Sequence, residues 1–491
     1  MGVKDKPATV IPFGEWTPDT SVLSGASDIK GVISKSGRYA PLPDLVPMGS
    51  TPLNDACIGG VGTYSSTGVP YIFLGDRARL YRVASGNPVD VSKSGGYSAD
   101  RDWAWTFCQF GDNIIAVARG VAPQVYQLGA SSLFANLANA PLGDVVFRVR
   151  QHVFICAGRT INVSGFNDST AWTPDPATQA FQNTIGQEAG LIVAGWGGEQ
   201  GAIFQERGIV RLTYQGGAAP FIFDEVEGGR GACSPHAVVP WGRTAYVAAE
   251  DGFYVFDGMQ ALPIGQHKVD QWFTDRLNYA YRYKVWSAID AGRKTWMVAF
   301  PSGGATSCNT VLLYSWADQR WSYDVLDSQF GLEIPKPGVS ADDAAAITAL
   351  FGTAAADSIE VSADAAIWRD SRRQWAVVNS GRYLSQFTGS NRAAVLETGV
   401  FEPNPGRKIY LSGVAPVIDA APETMTCAIK SRLQRLDEED LEADSSIVNE
   451  EGRAELRVEG RYMSAKIDIL ADADWTEATG IIPDVGAGGE R

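Results

Sequence analysis

Residues 244–258 read TAYVAAEDGFYVFDG. Apolar residues alternate on both sides of Glu250, Asp251 and Gly252, a period of two broken by a turn that tolerates positive φ; this is a β-hairpin and not a helix. The same design returns in YIFLGDRARLYRV (71–83), DNIIAVARGVAPQVYQL (112–128), HVFICAGRTINVSG (152–165), GAIFQERGIVRLTYQG (201–216) and WSAIDAGRKTWMVAF (286–300). With turn centres at Gly75, Arg119, Gly158, Gly208, Gly252 and Gly292, the gaps are 44, 39, 50, 44 and 40 residues. A repeat of about 40 to 50 residues without helical patterning marks β-propeller blades of four short strands. Two later strand pairs, TVLLYSWADQRWSYDVL (310–326) and QWAVVNSGRYLSQFTG (374–389), carry the ring to about residue 390. The sequence therefore predicts an all-β chain with a propeller of six or seven blades. Stacked β-sandwiches would also need many short strands, but they do not call for this spacing.

Outward from the repeats the texture changes. Residues 10–47 are rich in Pro and Gly with few strand-length runs, which predicts an extended N-terminal arm lying over other structure, of its own chain or of a neighbouring copy. The Ala- and Asp-rich stretch 340–366 reads as an insertion loop or a poorly marked blade. From about residue 395, strand-like segments interrupted by the acidic run DEEDLEAD (437–444) predict a small β-sandwich-like module. The expected division is 1–50 for the arm, 51–394 for the propeller and 395–491 for the C-terminal module.

The formal charge of −15 and a pI near 4.8 argue against nucleic-acid binding through a basic face. No apolar run is long enough to span a bilayer and the start lacks a signal-peptide core, so a chain made in the cytoplasm, with no membrane span, is expected. Six cysteines (57, 108, 156, 233, 308 and 427) lie far apart without CxxC or His spacing; they predict buried free thiols and no metal site.

A search for catalytic groups returns little. The three histidines are His152, His236 and His267, none in a nucleophile elbow, and His152 sits inside an apolar strand. Carboxylates drawn from different blades could serve a glycosidase, and the candidates are Glu206, Glu250 with Asp251, and Asp224 with Glu225. Turns favour such acids anyway, so a turn role is expected for Glu206, Glu250 and Asp251. FNDSTAW (166–172) approaches a sialidase-type turn but lacks its Gly and its Trp spacing; an Asx- or Ser-type turn at Asp168 and Ser169, with Trp172 packed on a sheet, is expected instead. Phosphate-cradling glycine loops are missing, so no nucleotide cofactor is indicated. The aromatic clusters RDWAWTF (101–107), NYAYRYKVW (278–286) and SWADQRWSY (315–323) suit sugar binding or, more simply, packing between blades.

Other stretches resemble a family. Phe13, Gly14, Glu15, Trp16, Pro18 and Asp19, then Gly31–Ile33, then Gly37, Arg38, Tyr39 and 41–43, are similar to the opening of the tail nozzle or hub proteins of short-tailed bacteriophages, the packaged-DNA stabilisation class. FNDSTAWTP with Trp172, 190–196 and 202–209 resemble their interior, and 460–469 with 473–481, including Trp475, their closing segment. The resemblance implies a structural virion protein, not an enzyme, without cofactor. It would form a ring, of six copies by that resemblance, joining the portal and adaptor proteins above and carrying fibres or spikes. Double-stranded DNA would pass it without sequence-specific binding. A carbohydrate-binding or glycoside-hydrolysing propeller is the competing expectation.

Overall fold

Five of the predicted hairpins form the middle of separate four-stranded antiparallel sheets, each built from consecutive strands: 59–90, 106–136, 145–184, 192–228 and 238–263. These are blades one to five. The computed structural model describes residues 10–20, 25–100, 102–335, 373–434 and 442–486; the stretch 340–366 and most of the acidic run 437–444 lie outside them.

Blades six and seven share one strand. Arg320–Pro335 is 16 residues long; its first part pairs with Cys308–Ser315 as the outer strand of blade six, and beyond Ser328 it pairs with Arg373–Asn379 as the inner strand of blade seven. Register shifts on both sides of Ser328 let it turn from one sheet into the next. Blade seven continues through Leu384–Asn391 and is completed by Pro43–Pro47, with Ser385 opposite Pro47. The expected boundary at residue 50 thus falls just after a strand of the ring. Pro is tolerated there because the strand lies at a sheet edge.

The inner strands converge, and contacts run in order from blade one round to seven and back to one. Convergence leaves no room for side chains at some points. A Cβ on Gly62 of blade one would strike the Glu333 carbonyl of blade seven, and one on Gly331 would strike the Trp286 ring of blade six. The sequence phase is corrected at one place: 286–300 supplies the first and second strands of blade six, whereas in blades one to five the matching hairpin supplies the second and third. All hairpins of a blade alternate alike, so local pattern does not mark which strand faces the axis.

The N-terminal arm lies on its own chain. Val32–Lys35 and Arg38–Pro41 join Ala478–Gly486, Ile409–Ile418 and Ala454–Gly460 in one sheet, with Ile11–Pro12 also on Ala478–Gly486. Asp28–Lys30 pairs with Ala394–Glu397, which continues to Tyr462–Ile469, Met425–Arg432 and Glu442–Ile447. It also touches Arg320–Pro335 in parallel, Lys30 opposite Tyr323, so this sheet runs on into blade six. One continuous core results, joining Phe13, Trp16 and Tyr39 of the arm to Phe253, Trp296 and Trp321 of the propeller and to Leu411, Ile467 and Trp475 of the module.

Candidate functional site

The segments that lead into the inner strands of blades one, two, five, six and seven enclose a cleft of about 460 Å³ at one mouth of the propeller. Two of the aromatic clusters meet there. The Tyr283 hydroxyl donates to Asp102 Oδ1 at 2.8 Å, tying 278–286 to 101–107 across 181 residues of chain. Their rings divide the work: Trp105 and Trp286 are buried between blades, while Trp103, Tyr281 and Tyr283 line the cleft. Trp103 is fixed by its Nε1, which donates to the Asp144 carbonyl at 3.0 Å, and by the Arg119 guanidinium 4.0 Å from its ring centre.

His236 forms the floor. Its Nε2 donates to the Trp105 carbonyl at 2.9 Å, and its ring meets Phe330 edge-on at 4.6 Å. Because His236 precedes blade five and Trp105 precedes blade two, this bond links two blades that are not neighbours, across the ring at this mouth. Burial lowers the imidazole pKa to about 4, so the ring is neutral near pH 7, and donation from Nε2 leaves Nδ1 as a bare acceptor. Lys284, whose Nζ donates to the Thr306 carbonyl at 2.7 Å, and Tyr281 form the rim with the exposed Arg77 and Asp55.

Of the candidate acids, Glu250 and Glu206 are brought together, but on a cation. Arg282 Nε holds Glu250 at 2.6 Å and its Nη2 stands 3.9 Å from Glu206, while Tyr279 donates to the other Glu250 oxygen at 2.6 Å. Asp251 pairs with Arg230 at 3.1 Å and Asp224 with Arg211 at 2.9 Å; Glu225 has no ion pair among the described residues. His152 is fully buried, its Nδ1 2.8 Å from the Ser164 carbonyl, and burial lowers its pKa. His267 lies exposed in a turn at φ 60°. All six cysteines are free and buried, and burial pushes the Cys57 and Cys108 thiols up to about 12, away from nucleophilic use. Among the described residues no group of His, Cys, Asp and Glu is arranged to hold a metal.

In FNDSTAW, Asp168 Oδ1 accepts from the Thr170 amide at 2.8 Å and from its hydroxyl at 2.7 Å, bonds that lower the carboxyl pKa. Ser169 contributes its carbonyl, which accepts from Trp172 Nε1 at 2.8 Å, and Trp172 is buried between blades two and three. The stretch closes the connection between the third and fourth strands of blade three.

Of the other residues that carry the resemblance, 190–196 and 202–209 lie in blade four, while those of the arm and the closing segment gather at the joint between arm, propeller and module. Trp16, 2% exposed, stacks on Tyr323 at 4.8 Å and meets Trp272 edge-on at 5.1 Å. Phe13 is buried and its amide donates to Thr479; the Gly14 carbonyl accepts from the buried Tyr39 hydroxyl at 2.7 Å. Asp19 accepts from the Gln271 and Trp272 amides at 2.8 and 2.7 Å, capping helix α1 (Asp270–Arg276) from the arm, and Pro18 lies beside it in a polar cleft. Gly37, at φ 76°, donates to Asp318, its carbonyl accepts from Arg320, and Arg38 pairs with Glu477 at 2.5 Å. The Trp475 carbonyl accepts from Asn391.

Two acids stand out that the sequence search passed over. Desolvation raises Asp270 to about 7, opposed by the Phe253 amide that it accepts, and likewise raises Glu333 to about 7 at the seam of blades six and seven, where it accepts from the Ile289 amide. The signal for Glu333 was available, a single acid in the apolar strand segment FGLEIP.

No protein-family model matches the chain, and no curated protein sequence matches it. Among solved structures the chain is similar to BamB from Moraxella catarrhalis, at 10% identity and TM-score 0.32 over 60% of this chain and 93% of that one. It is also similar to the N-terminal domain of Nup159, at 8% identity and TM-score 0.39 over 74% and 98% of the two chains. BBS1N in complex with ARL6DN gives 10% identity and TM-score 0.34 over 73% and 86%. The propeller assignment rests on the chain's own sheet order and ring of contacts.

Proposed function

We propose that the protein is a structural subunit of a short bacteriophage tail, a nozzle or hub that assembles as a ring, extends the DNA channel and serves in DNA retention and ejection. The observation that carries this reading is where the resembling residues of the arm and the closing segment lie: Phe13, Trp16, Asp19, Tyr39 and Trp475 bind arm, propeller and module into one body, which is what a ring subunit that transmits force requires and catalysis does not. The candidate acids Glu206, Glu250, Asp251 and Asp224 are engaged by arginines, which favours an interaction protein over a hydrolase. With the His236–Trp105 bond linking blades across the ring at this mouth, duplex DNA runs between subunits of the ring and not through a single propeller. A net charge of −15 repels the phosphate backbone and keeps DNA from adhering in transit. The portal and adaptor proteins and tail fibres are the remaining partners, and the virion tail is the location.

Electron microscopy of the purified protein and of particles carrying it tests this reading. A six-fold ring at the tail tip is the expected result. A chain that stays monomeric at high concentration and is lacking from particles overturns it.

A further inference from the structure

We propose that the cleft at the propeller mouth binds a neutral saccharide. Among the described residues the charges lining it cancel, Arg77 and Lys284 against Asp55 and Asp102, in a chain of net charge −15. A phosphate-bearing ligand calls for an excess of cations and a basic peptide for an excess of acids. The cleft offers neither. It offers unfilled donors and acceptors side by side. No described residue bonds the exposed Arg77 guanidinium. Gln329 gives its carbonyl oxygen to the Cys57 amide at 2.9 Å, which leaves its NH2 group to donate. Asp102 receives Tyr283 on Oδ1, which leaves Oδ2, and His236 presents Nδ1. A hydroxyl both donates and accepts, so a ring bearing several hydroxyls satisfies this mixture without importing charge.

The apolar part of the cleft fits the same ligand. Trp103 is a preset wall, held by its bond to Asp144 and by Arg119 stacked on it, and a fixed aromatic plane suits the C–H face of a sugar ring. About 460 Å³ lies within the size range of small-molecule sites, about 300 to 1,000 Å³. Glu206 and Glu250, held on Arg282, do not line the cleft, so the acids that face the ligand are Asp55 and Asp102. The site goes beyond the tail reading and stands without it, since one chain supplies every group.

The test titrates the full chain with neutral di- and trisaccharides of glucose, galactose, mannose and N-acetylglucosamine, followed by tryptophan fluorescence and saturation-transfer NMR. Sialyllactose, a heparin disaccharide, an acidic peptide and a basic peptide form the other arms. Saturable binding of a neutral saccharide is expected, weakened about tenfold or more, which is about 1.4 kcal/mol, by Arg77→Ala and by Tyr281→Ala at unchanged melting temperature. Failure of every neutral saccharide to saturate the chain overturns the proposal. So does tighter binding of a charged arm, or binding that ignores both substitutions. A monomer that binds the sugar in this way upholds the site even if no ring forms.

Discussion

Aromatic side chains gather at two places in this chain, and the two gatherings behave oppositely. At the joint, Trp16, Tyr39, Trp296 and Trp321 are buried at 2% exposure or less and their polar atoms are spent inside the chain or shielded. At the mouth, Tyr279, Tyr281 and Tyr283 are partly or fully exposed, and the cations beside them stack on their rings. Composition is similar at both, but the surroundings differ. The joint has strands from three parts of the chain pressing on it, whereas the mouth tyrosines stand on a run of 3-10 turns at the head of the inner strand of blade six. Aromatic residues covered on all sides stabilise; the same residues covered on one side remain available to a ligand.

The strongest way to break this contrast is Trp16→Ala. Removing a buried Trp costs about 3–5 kcal/mol, so the urea midpoint should fall sharply, while Tyr281→Ala should change it by about 0.5 kcal/mol or less. Equal effects would mean that the joint is not a core. Next in size, Gly331→Val forces a branched side chain onto the Trp286 ring, and overpacking of about 1–3 kcal/mol should appear as a lower unfolding midpoint. A variant as stable as the parent would show that the seam of blades six and seven is looser than described.

Asp19→Ala sharpens the role of the arm. Loss of a cap costs about 1 kcal/mol, and hydrogen exchange should speed up at the Gln271 and Trp272 amides before it does elsewhere. A further test concerns pH. With its folded pKa raised to about 7, Asp270 keeps its proton in the folded state at pH values where the unfolded chain has released it. Stability therefore declines as pH rises from the ordinary carboxylate range to about 7, and stays lower above it. Asp270→Asn should make the loss of stability between pH 5 and pH 8 shallower in urea titrations, leaving the part due to Glu333. An unchanged slope would remove Asp270 from this account.

Much of the fold is legible in the hairpins, because alternation and turn chemistry are local: Gly158 adopts φ 59° and Asp168 folds back on Thr170 within two residues. The slip at 286–300 has the opposite cause. Whether a strand is first or second in a blade depends on its neighbours across the ring, and nothing within WSAID or TWMVAF records that. The arm was harder still. Asp28–Lys30 is too short to read as a strand and exists because a partner strand near residue 395 stands ready to pair with it; Val32–Lys35 pairs locally with Arg38–Pro41, which in turn meets the strand near residue 480. The mouth was half legible: both aromatic clusters were visible, but their meeting through Tyr283 and Asp102 was not.

Residue type, and spacing within a few residues, suffice for the class of structure, the repeated blade, the buried thiols and the acidic balance. Long-range pairing is what makes Pro43–Pro47 close the seventh blade, one strand serve two blades, and Arg282 hold Glu250 with Glu206 close by. Those outcomes join residues tens to hundreds of positions apart. Their free energy comes from burial and pairing across the folded body, which no short window of sequence contains.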